Sequence, residues 1–450
     1  MGDIDAIFKA YDVRGLAPEQ LDADLCRAIG AAFARFVHDH DDAGSVVIGH
    51  DMRPTGPEFA HAFADGAMGQ GLDVVHIGLV STDMIYFASG RLNMPGAILT
   101  ASHNPAEYNG IKLCRAGAGP LGGDTGLFDI REMARGGGPE PLTGTLGTLE
   151  HRDMLDEFAD HVLGFIDVGT VRPLKVVADT ANGMGGLVVP AIFDRLPFDL
   201  EVMYPELDGT FPNHPADPIQ DANQVDLKKR VLETSADVGL AFDGDADRVF
   251  LVDANADGVS GSLTTALVAR RVLEREPGAS IIHNLICSKV VPEMVSEMGG
   301  TPIRSKVGHS YIKDVMADTG AAFGGEHSGH YYFRDNFRAD SGLIAAVVVL
   351  AAICETGASL AELVAPLRRY AASGEINTRV SDTNAMIEQV SAVYADAAQD
   401  RLDGLTVDMG DWWFNLRASN TEPLLRLNLE ASTSADTALR VAEVQGHMAR

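Results

Sequence analysis

Short apolar strands that alternate with amphipathic helices constrain the fold of this chain more than any other feature. Residues 19–37 carry apolar side chains at helical spacing, whereas residues 45–49, 72–77 and 97–100 are short apolar runs typical of strands. This alternation predicts an α/β layer with a largely parallel sheet. Ligands of such sheets lie beyond the carboxyl ends of the strands, so the loops at those ends are where function is expected.

Changes in pattern along the chain predict several domains. A segment rich in glycine and proline, residues 117–147, interrupts the alternation. Further α/β units begin near residues 174 and 258, and the strands and helices after residue 370 form a small α+β unit. A chain of 450 residues has room for this number of domains. We therefore predict domains over residues 1–150, 151–254, 255–370 and 371–450.

Composition excludes several classes of partner. The formal charge of −29 argues against nucleic acid and against anionic membrane surfaces. The most apolar stretch, residues 343–354, is too short to span a bilayer, and the acidic N-terminus lacks the layout of a signal peptide. The four cysteines show no CxxC spacing, so neither a zinc site nor a disulfide framework is indicated. These features predict a cytoplasmic protein.

A polar loop follows the apolar run at residues 97–99. It reads Thr-Ala-Ser-His-Asn-Pro over residues 100–105, and Pro105 ends the strand. The loop presents the hydroxyl of Ser102 beside the imidazole of His103. The pair fits a nucleophile, but on this loop alone an ordinary polar turn is favoured, because Ser-His pairs are common in turns.

Three aspartates follow a second apolar strand. Asp243, Asp245 and Asp247 alternate with small residues, so their carboxylates lie on one side of an extended chain. Carboxylates held so close repel one another unless a cation lies among them, and a small set of them suits Mg²⁺. A calcium EF-hand is excluded because Arg248 stands where that loop needs glycine. A solvated acidic loop is the alternative.

Two further polar loops and one glycine-rich turn stand out. Residues 325–330 read Gly-Glu-His-Ser-Gly-His, a tight turn whose carboxylate and hydroxyl suit neighbouring sugar hydroxyls. Residues 417–423 read Arg-Ala-Ser-Asn-Thr-Glu-Pro, and a guanidinium with hydroxyls and turn amides can bind an anion. Residues 180–186 lack the spacing of known nucleotide-binding fingerprints and are expected to be a packing turn.

These loops, in this order, resemble the α-D-phosphohexomutase family, and within it the phosphomannomutase/phosphoglucomutase group. The opening Phe-Lys-Ala-Tyr-Asp-Val-Arg-Gly at residues 8–15 is similar to that family too. The matched motifs extend from residue 8 to residue 426. The resemblance implies three similar α/β domains with mixed sheets and a smaller α+β C-terminal domain around a central cleft.

The resemblance also implies a chemistry. Ser102 is the serine that is phosphorylated in the active enzyme, and it binds Mg²⁺ together with Asp243, Asp245 and Asp247. Phosphoserine gives its phosphoryl group to a hexose phosphate, the hexose 1,6-bisphosphate turns over in the site, and its other phosphate returns to Ser102. The catalytic candidates beside Ser102 and His103 are Arg14 for charge stabilisation and Lys112 and His330 for acid and base roles.

The family's binding loops map onto further residues. Glu326 and Ser328, with Lys306 and His309 from a second loop, are expected to bind the sugar. Arg417, Ser419, Asn420 and Thr421 are expected to bind the non-reacting phosphate. Arg426 either joins them or forms an ion pair on its strand. Because the chain is strongly acidic, binding an anionic substrate requires locally convergent cations. The expected set, with Tyr11 beside it, is Lys9, Arg14, Lys112, Arg248, Lys306, Arg417 and Arg426.

The reaction expected from the resemblance interconverts mannose 6-phosphate and mannose 1-phosphate, with glucose phosphates also accepted. Phosphoglucosamine mutase, a Mg²⁺-dependent sugar phosphatase and a non-catalytic binding protein are the alternatives. The expected partner is a hexose phosphate, and the protein is expected to be a monomer or dimer.

Two positions depart from the family pattern: Asp83 follows Ser81-Thr82 where Thr-Pro is usual, and His50 stands where arginine is frequent.

Overall fold

The computed structural model describes residues 4–418 and 424–448, except for the side chain of His309. Four sheets follow one another along these residues. The first three sheets are mixed and are covered by helices, and the fourth is antiparallel. The predicted fold class, three α/β units followed by a smaller α+β unit, is therefore confirmed.

The first unit contains a seven-stranded sheet with the path β1-β5-β4-β2-β3-β7, and β6 pairs with β5. The central strands are parallel, whereas β5 runs antiparallel to its neighbours. The largely parallel sheet predicted here is therefore mixed. Its elements are α1 (Ile4–Ile7), β1 (Val13–Leu16), α2 (Ala23–Asp41), β2 (Ser45–His50), α3 (Gly56–Gly69), β3 (Asp73–Leu79), α4 (Thr82–Leu92), β4 (Gly96–Leu99), β5 (Tyr108–Arg115), β6 (Gly119–Pro120), α5 (Leu127–Ala134) and β7 (Leu149–His151).

The second and third units have smaller mixed sheets, with the strand orders β12-β11-β10-β8-β9 and β14-β13-β15-β16. The elements of the second unit are α6 (Leu155–Leu163), β8 (Lys175–Asp179), α7 (Gly185–Phe193), β9 (Asp199–Met203), α8 (Val225–Thr234), β10 (Val238–Phe242), β11 (Val249–Asp253) and β12 (Gly258–Val259). Those of the third are α9 (Gly261–Arg275), β13 (Ser280–Asn284), α10 (Val290–Glu297), β14 (Thr301–Ser305), α11 (His309–Thr319), β15 (Phe323–Gly325), β16 (Tyr331–Phe333), α12 (Gly342–Thr356) and α13 (Leu360–Val364).

The fourth unit is an antiparallel sheet with the strand order β17-β21-β20-β19-β18. Its elements are β17 (Ala371–Arg379), α14 (Thr383–Val393), β18 (Ala398–Asp400), β19 (Leu405–Asp408), β20 (Trp412–Ala418), β21 (Leu424–Ala431) and α15 (Ser434–Met448). Both helices pack on this sheet and build a core of their own. The largest core, by contrast, continues from α4 of the first unit through the second and third units.

One predicted turn is wrong. The sequence Asn-Gly-Ile-Lys at residues 109–112 predicts a turn that returns Lys112 toward the Ser102 loop, but these residues lie within β5. Every residue from Asn109 to Cys114 is buried, because β5 is sandwiched between β1 and β4 and is covered on both faces. A strand with two buried faces lacks the alternation that identifies half-buried strands.

Within residues 4–418 and 424–448, no single helix is both long and apolar enough to cross a membrane. The helices Gly342–Thr356 and Leu360–Leu367, which are bent by 100° at the break between them, have the length and composition for it only as a pair.

Two glycines let α2 and α3 pack backbone against backbone. A methyl group on Gly30 would lie 2.1 Å from the carbonyl oxygen of Phe63, and one on Gly66 would lie 2.0 Å from that of Arg27. These distances are far below van der Waals contact, so the helices could not remain this close with alanine at either position. The helix pair supports one face of the sheet that carries the Ser102 loop.

We predict that Gly30→Ala destabilises the protein. Alanine is intrinsically better than glycine in a helix by about 1 kcal/mol. Its methyl group would nevertheless meet backbone atoms, and overpacking of this kind costs about 1–3 kcal/mol. Gly69→Ala, at the end of α3, is the matched control because its nearest neighbour would lie 3.7 Å away. In urea unfolding, the free energy of unfolding of Gly30→Ala should be lower than that of wild type. That of Gly69→Ala should equal the wild-type value or lie slightly above it. A Gly30→Ala protein as stable as wild type would contradict the close packing.

Candidate active site

The loop after β4 places Ser102 in a buried and unusual backbone conformation. Ser102 has a φ of 51°, in the left-handed region that non-glycine residues seldom occupy. Its N–H donates to the hydroxyl of Thr100 at 2.9 Å. Its hydroxyl lies 3.1 Å from Oδ2 of Asp243 and 3.3 Å from Nδ1 of His103. The serine oxygen therefore faces the aspartate loop of the second unit.

The aspartate loop follows β10 and is buried as well. Asp243, Asp245 and Asp247 are at most 1% exposed. The glycine-rich turn before α7 packs against this loop, and the N–H of Met184 donates to the carbonyl oxygen of Gly244 at 2.8 Å. A methyl group on Gly183 would lie 2.6 Å from the same oxygen, which supports the interpretation of residues 180–186 as a packing turn.

Lys112 of β5 offsets the negative charge of the cluster. Its ammonium lies 2.7 Å from Oδ2 of Asp245 and 2.7 Å from Oδ2 of Asp247. Burial alone would lower the pKa of Lys112, but these two carboxylates outweigh burial and raise that pKa well above its usual value. Burial would likewise raise the pKa of Asp245, but Lys112 holds that pKa well below its usual range. Both partners are therefore ionised at neutral pH.

Arg248 pairs with the remaining carboxylate. Its Nε donates to Oδ2 of Asp243 at 2.8 Å, and its Nη1 lies 3.7 Å from Asp217. Burial nevertheless raises the pKa of Asp243 to about 7, against the opposing effect of Arg248. Nη2 of Arg248 is buried and has no hydrogen-bond partner among the described residues, so the guanidinium retains a donor for an anion.

The three aspartates have the donor set of a cation site. One carboxylate oxygen from each lies within 4.8 Å of the others. Oδ1 of Asp245 and Oδ1 of Asp247 are buried and accept no hydrogen bond from the described residues. Buried carboxylate oxygens that lack donors are costly unless a cation binds them. Oxygen ligands of this kind fit a hard divalent cation such as Mg²⁺.

Thr82 ties the first unit to this cluster, and sequence reasoning did not select it. Its hydroxyl donates to Oδ2 of Asp245 at 2.5 Å, and its N–H donates to the carbonyl oxygen of Asp245 at 3.0 Å. The neighbouring Asp83 is fully buried and accepts a hydrogen bond from the hydroxyl of Ser341 at 2.7 Å. Residues 82–83, which contain one of the two departures from the family pattern, therefore join three units behind the aspartates.

Two cationic or ionisable groups from the N-terminal half flank Ser102. Arg14 donates to Asp12 at 2.8 Å and to the carbonyl oxygen of Ala101 at 3.3 Å, and it also bonds the side chain of Asn104. Burial, reinforced by Arg248 and Arg14, holds the pKa of His103 well below its usual value, so this imidazole is neutral at neutral pH.

His330 approaches the cluster from the third unit. Its Nδ1 lies 2.8 Å from Oδ2 of Asp340 and 3.9 Å from Oδ1 of Asp247. Burial would lower the pKa of His330, but these carboxylates outweigh burial and raise it. Asp340 was not selected from the sequence, since nothing in its neighbourhood distinguishes it from other aspartates that follow a turn.

The Glu326 carboxylate accepts three hydrogen bonds from the protein and has room for a further one. The donors are the side chains of Asn284 at 3.0 Å and Tyr332 at 2.6 Å, and the N–H of Gly308 at 3.2 Å. Glu326 therefore stabilises the loop that contains Lys306 and Gly308. Ser328, two residues further along the chain, is half-buried. The side chain of His309 lies outside the described residues.

A second group of cations lines a cavity of about 890 Å³ where the first, third and fourth units meet. Ser102 and the three aspartates do not line it. The predicted set of convergent cations is thus divided between the cavity and the Ser102 cluster. The predicted residues that line the cavity are Lys9, Tyr11, Lys306, Arg417 and Arg426.

Arg417 and Arg426 face each other across β20 and β21. Both reach the carboxylate of Glu375, at 3.6 Å and 3.4 Å. Asp403 lies 4.0 Å from Arg417. The Nε atoms of both arginines are buried and have no partner within the described part of the chain. The alternative that Arg426 forms an ion pair on its strand is therefore observed, and a donor is still left over for an anion. Ser419, Asn420 and Thr421 lie outside the described residues.

Family models match consecutive parts of the chain. Residues 5–135, 156–258 and 260–370 match phosphoglucomutase/phosphomannomutase alpha/beta/alpha domains I, II and III, and residues 375–445 match the C-terminal domain. A phosphomannomutase of Salmonella montevideo is 42% identical over 434 residues, which is 94% of each chain. A protein of Xanthomonas campestris pv. campestris named "Phosphohexose mutases" is 40% identical over 443 residues, 97% of each chain.

A solved structure shows the same architecture. A phosphoglucomutase/phosphomannomutase family protein from Burkholderia thailandensis superposes with a TM-score of 0.90 and is 33% identical. The superposition covers 100% of this chain and 97% of that one. By sequence, by domain order and by fold, the chain belongs to the phosphoglucomutase/phosphomannomutase family of isomerases.

Proposed function

We propose that this protein is a phosphomannomutase that interconverts mannose 6-phosphate and mannose 1-phosphate and also accepts glucose phosphates. The observation that carries the proposal is the position of the Ser102 hydroxyl, 3.1 Å from Asp243 in a buried cluster of three aspartates. A serine beside a cation site is the arrangement that phosphoryl transfer to and from a protein hydroxyl requires. The domain boundaries proposed for it are near residues 150, 254 and 370.

The reaction consists of two transfers at one serine. In the first, a free hydroxyl of the hexose phosphate forms a bond to phosphorus while the bond from phosphorus to the Ser102 oxygen breaks. The sugar hydroxyl loses a proton and the serine oxygen gains one, so no proton is consumed overall. Lys112 and His330 flank Asp247 at 2.7 Å and 3.9 Å and are the groups proposed to relay this proton. The second transfer returns the other phosphate of the hexose 1,6-bisphosphate to Ser102.

Asp243, Asp245 and Asp247, with the phosphorylated Ser102, would hold Mg²⁺. A bound Mg²⁺ would neutralise part of the charge on the transferring phosphoryl group. Arg14 and Arg248 act around it as fixed cations that keep the phosphorylated loop and the substrate in a locally positive environment despite the acidic surface.

The 890 Å³ cavity is proposed to bind the phosphate that does not react. Lys9, Lys306, Arg417 and Arg426 contribute cations there. The Nε donors of the two arginines, which have no hydrogen-bond partner among residues 4–418 and 424–448, support this role. Ser419, Asn420 and Thr421 are proposed as further ligands of that phosphate, and Glu326, Ser328 and His309 as ligands of the sugar. Separate sites for the two phosphates allow the bisphosphate to bind in either orientation.

Ser102→Ala should abolish the mutase activity, because it removes the oxygen that accepts and returns the phosphoryl group. With Mg²⁺ and catalytic glucose 1,6-bisphosphate, formation of mannose 6-phosphate from mannose 1-phosphate should fall by on the order of a thousandfold or more. Ser296→Ala, on the exposed side of α10, is the matched control and should retain activity. Release of inorganic phosphate without isomerisation would indicate a phosphatase, and glucosamine phosphates alone as substrates would indicate phosphoglucosamine mutase.

Asp247→Asn should weaken divalent-cation binding. Removing one anionic ligand lowers the charge that holds the ion, and titration calorimetry should show lower Mg²⁺ affinity by roughly 10- to 100-fold. Chelation should inactivate the wild type, and added Mg²⁺ should restore it. Asp194→Asn, exposed at the end of α7 in the same unit, is the control. Unchanged Mg²⁺ affinity in Asp247→Asn would place the cation elsewhere.

Arg417→Ala should raise KM much more than it lowers kcat. The residue is proposed to bind the phosphate that is not being transferred, so its contribution is equal in the ground and transition states. Loss of a charged hydrogen bond of about 1.5–3 kcal/mol corresponds to a KM roughly 10- to 100-fold higher. Arg401→Ala, an exposed residue of the same unit, serves as control. A fall in kcat at unchanged KM would contradict the proposed role.

A further inference from the structure

A buried guanidinium holds the backbone of the Ser102 loop. Arg53 follows β2, lies in the loop before α3 and is 1% exposed. Its Nη1 donates to the carbonyl oxygens of Pro105 at 2.9 Å and Tyr108 at 2.7 Å. Its Nη2 donates to those of Ser102 at 2.9 Å and Asn104 at 2.6 Å. Four carbonyl groups within one short loop therefore converge on a single side chain.

These contacts stabilise a conformation that the loop would not adopt by itself. A φ of 51° at Ser102 is disfavoured for a residue with a side chain. Hydrogen bonds from a charged donor are stronger than those between neutral groups, and Arg53 makes four of them to this segment. These bonds oppose the strain at the serine, and their fork geometry fixes the positions of the carbonyls relative to one another.

Arg53 is itself held from both sides of a domain boundary. Asp51, fully buried, accepts from the N–H of Arg53 at 2.9 Å and places its Oδ2 3.3 Å from the guanidinium Nε. The ring of Phe211, from the second unit, lies over the guanidinium at 5.2 Å. A methyl group on Gly209 would lie 2.6 Å from Cα of Arg53, so that loop is packed directly on it.

We propose that Arg53 is the positioning residue for the Ser102 hydroxyl, and that residues 209–211 of the second domain hold Arg53 in place. This inference rests on the proposed phosphoryl transfer at Ser102. Arg53 contacts the loop only through backbone carbonyls and does not contact the serine hydroxyl, so it acts by fixing the direction of the oxygen that must lie in line with the transferring phosphorus.

Arg53→Lys and Arg53→Gln separate geometry from charge. Lysine retains the positive charge but offers three donors from one nitrogen, which cannot reproduce a fork that reaches four carbonyls. We expect both variants to lower kcat by roughly 100-fold with nearly unchanged KM, as small misplacements of reacting groups do. Wild-type kcat in Arg53→Lys would overturn the proposal.

Phe211→Leu tests the support from the second domain in a variant that keeps the buried ion pair. Loss of a cation–π contact of about 0.5–1 kcal/mol predicts a kcat about 2- to 5-fold lower. Phe63→Leu, in the core of the first unit, is the control for general destabilisation of that domain. It should lower the melting temperature and leave kcat unchanged. An equal loss of kcat in Phe63→Leu would mean that stability, and not positioning, is responsible.

Hydrogen exchange provides a readout that does not require activity. Backbone amides of residues 102–108 should exchange faster in the Arg53 variants than in wild type, while the amides of α2 and α3 should not. Unchanged exchange in the loop would overturn the proposal even if kcat fell. A wild type inactive toward every hexose phosphate would remove the proposed function, and the exchange data would still decide whether Arg53 holds the loop.

Discussion

The active site depends on how the protein accommodates three carboxylates in its interior. Asp243, Asp245 and Asp247 are buried beside a serine hydroxyl. Without compensating positive charge, the repulsion between their carboxylates would destabilise this arrangement. Lys112 supplies that charge from the first sheet to two of them, and Arg248 supplies it within the aspartate loop to the third. Two oxygens are left without donors from the described residues, and these are the atoms that could bind a cation.

The arrangement of sheets explains why these groups meet. The Ser102 loop and the aspartate loop each lie at the carboxyl end of a strand in a different sheet, and Thr82 and Asp83 connect the units behind them. His330 with Asp340 is contributed by the third unit, and the arginine pair by the fourth. Ser102 and the 890 Å³ cavity are thus separate, each with its own cations. This is the layout that the proposed exchange of the two ends of a bisphosphate needs.

Much of this site follows from contiguous motifs. The Ser102 loop, the three aspartates and Arg417 were identified because each lies in a short contiguous motif that resembles one of the family's loops. Most predicted strands and helices agree with the structure to within a few residues. Residues 109–112 were misassigned because a strand buried on both faces has no alternating pattern. Thr82, Asp340 and Arg53 could not be found, since their significance comes from contacts that depend on strand order: Arg53 is 49 residues from Ser102.

Peptide mass spectrometry of the protein can show whether Ser102 carries the phosphoryl group between the two transfers. The protein is first incubated with glucose 1,6-bisphosphate and Mg²⁺, then freed of sugar and exposed to mannose 1-phosphate. We expect the phosphate to appear on the peptide that contains Ser102, on that residue, and then to leave it as mannose 1,6-bisphosphate forms. Phosphate found on no residue, or lost from Ser102 only as inorganic phosphate, would contradict the account.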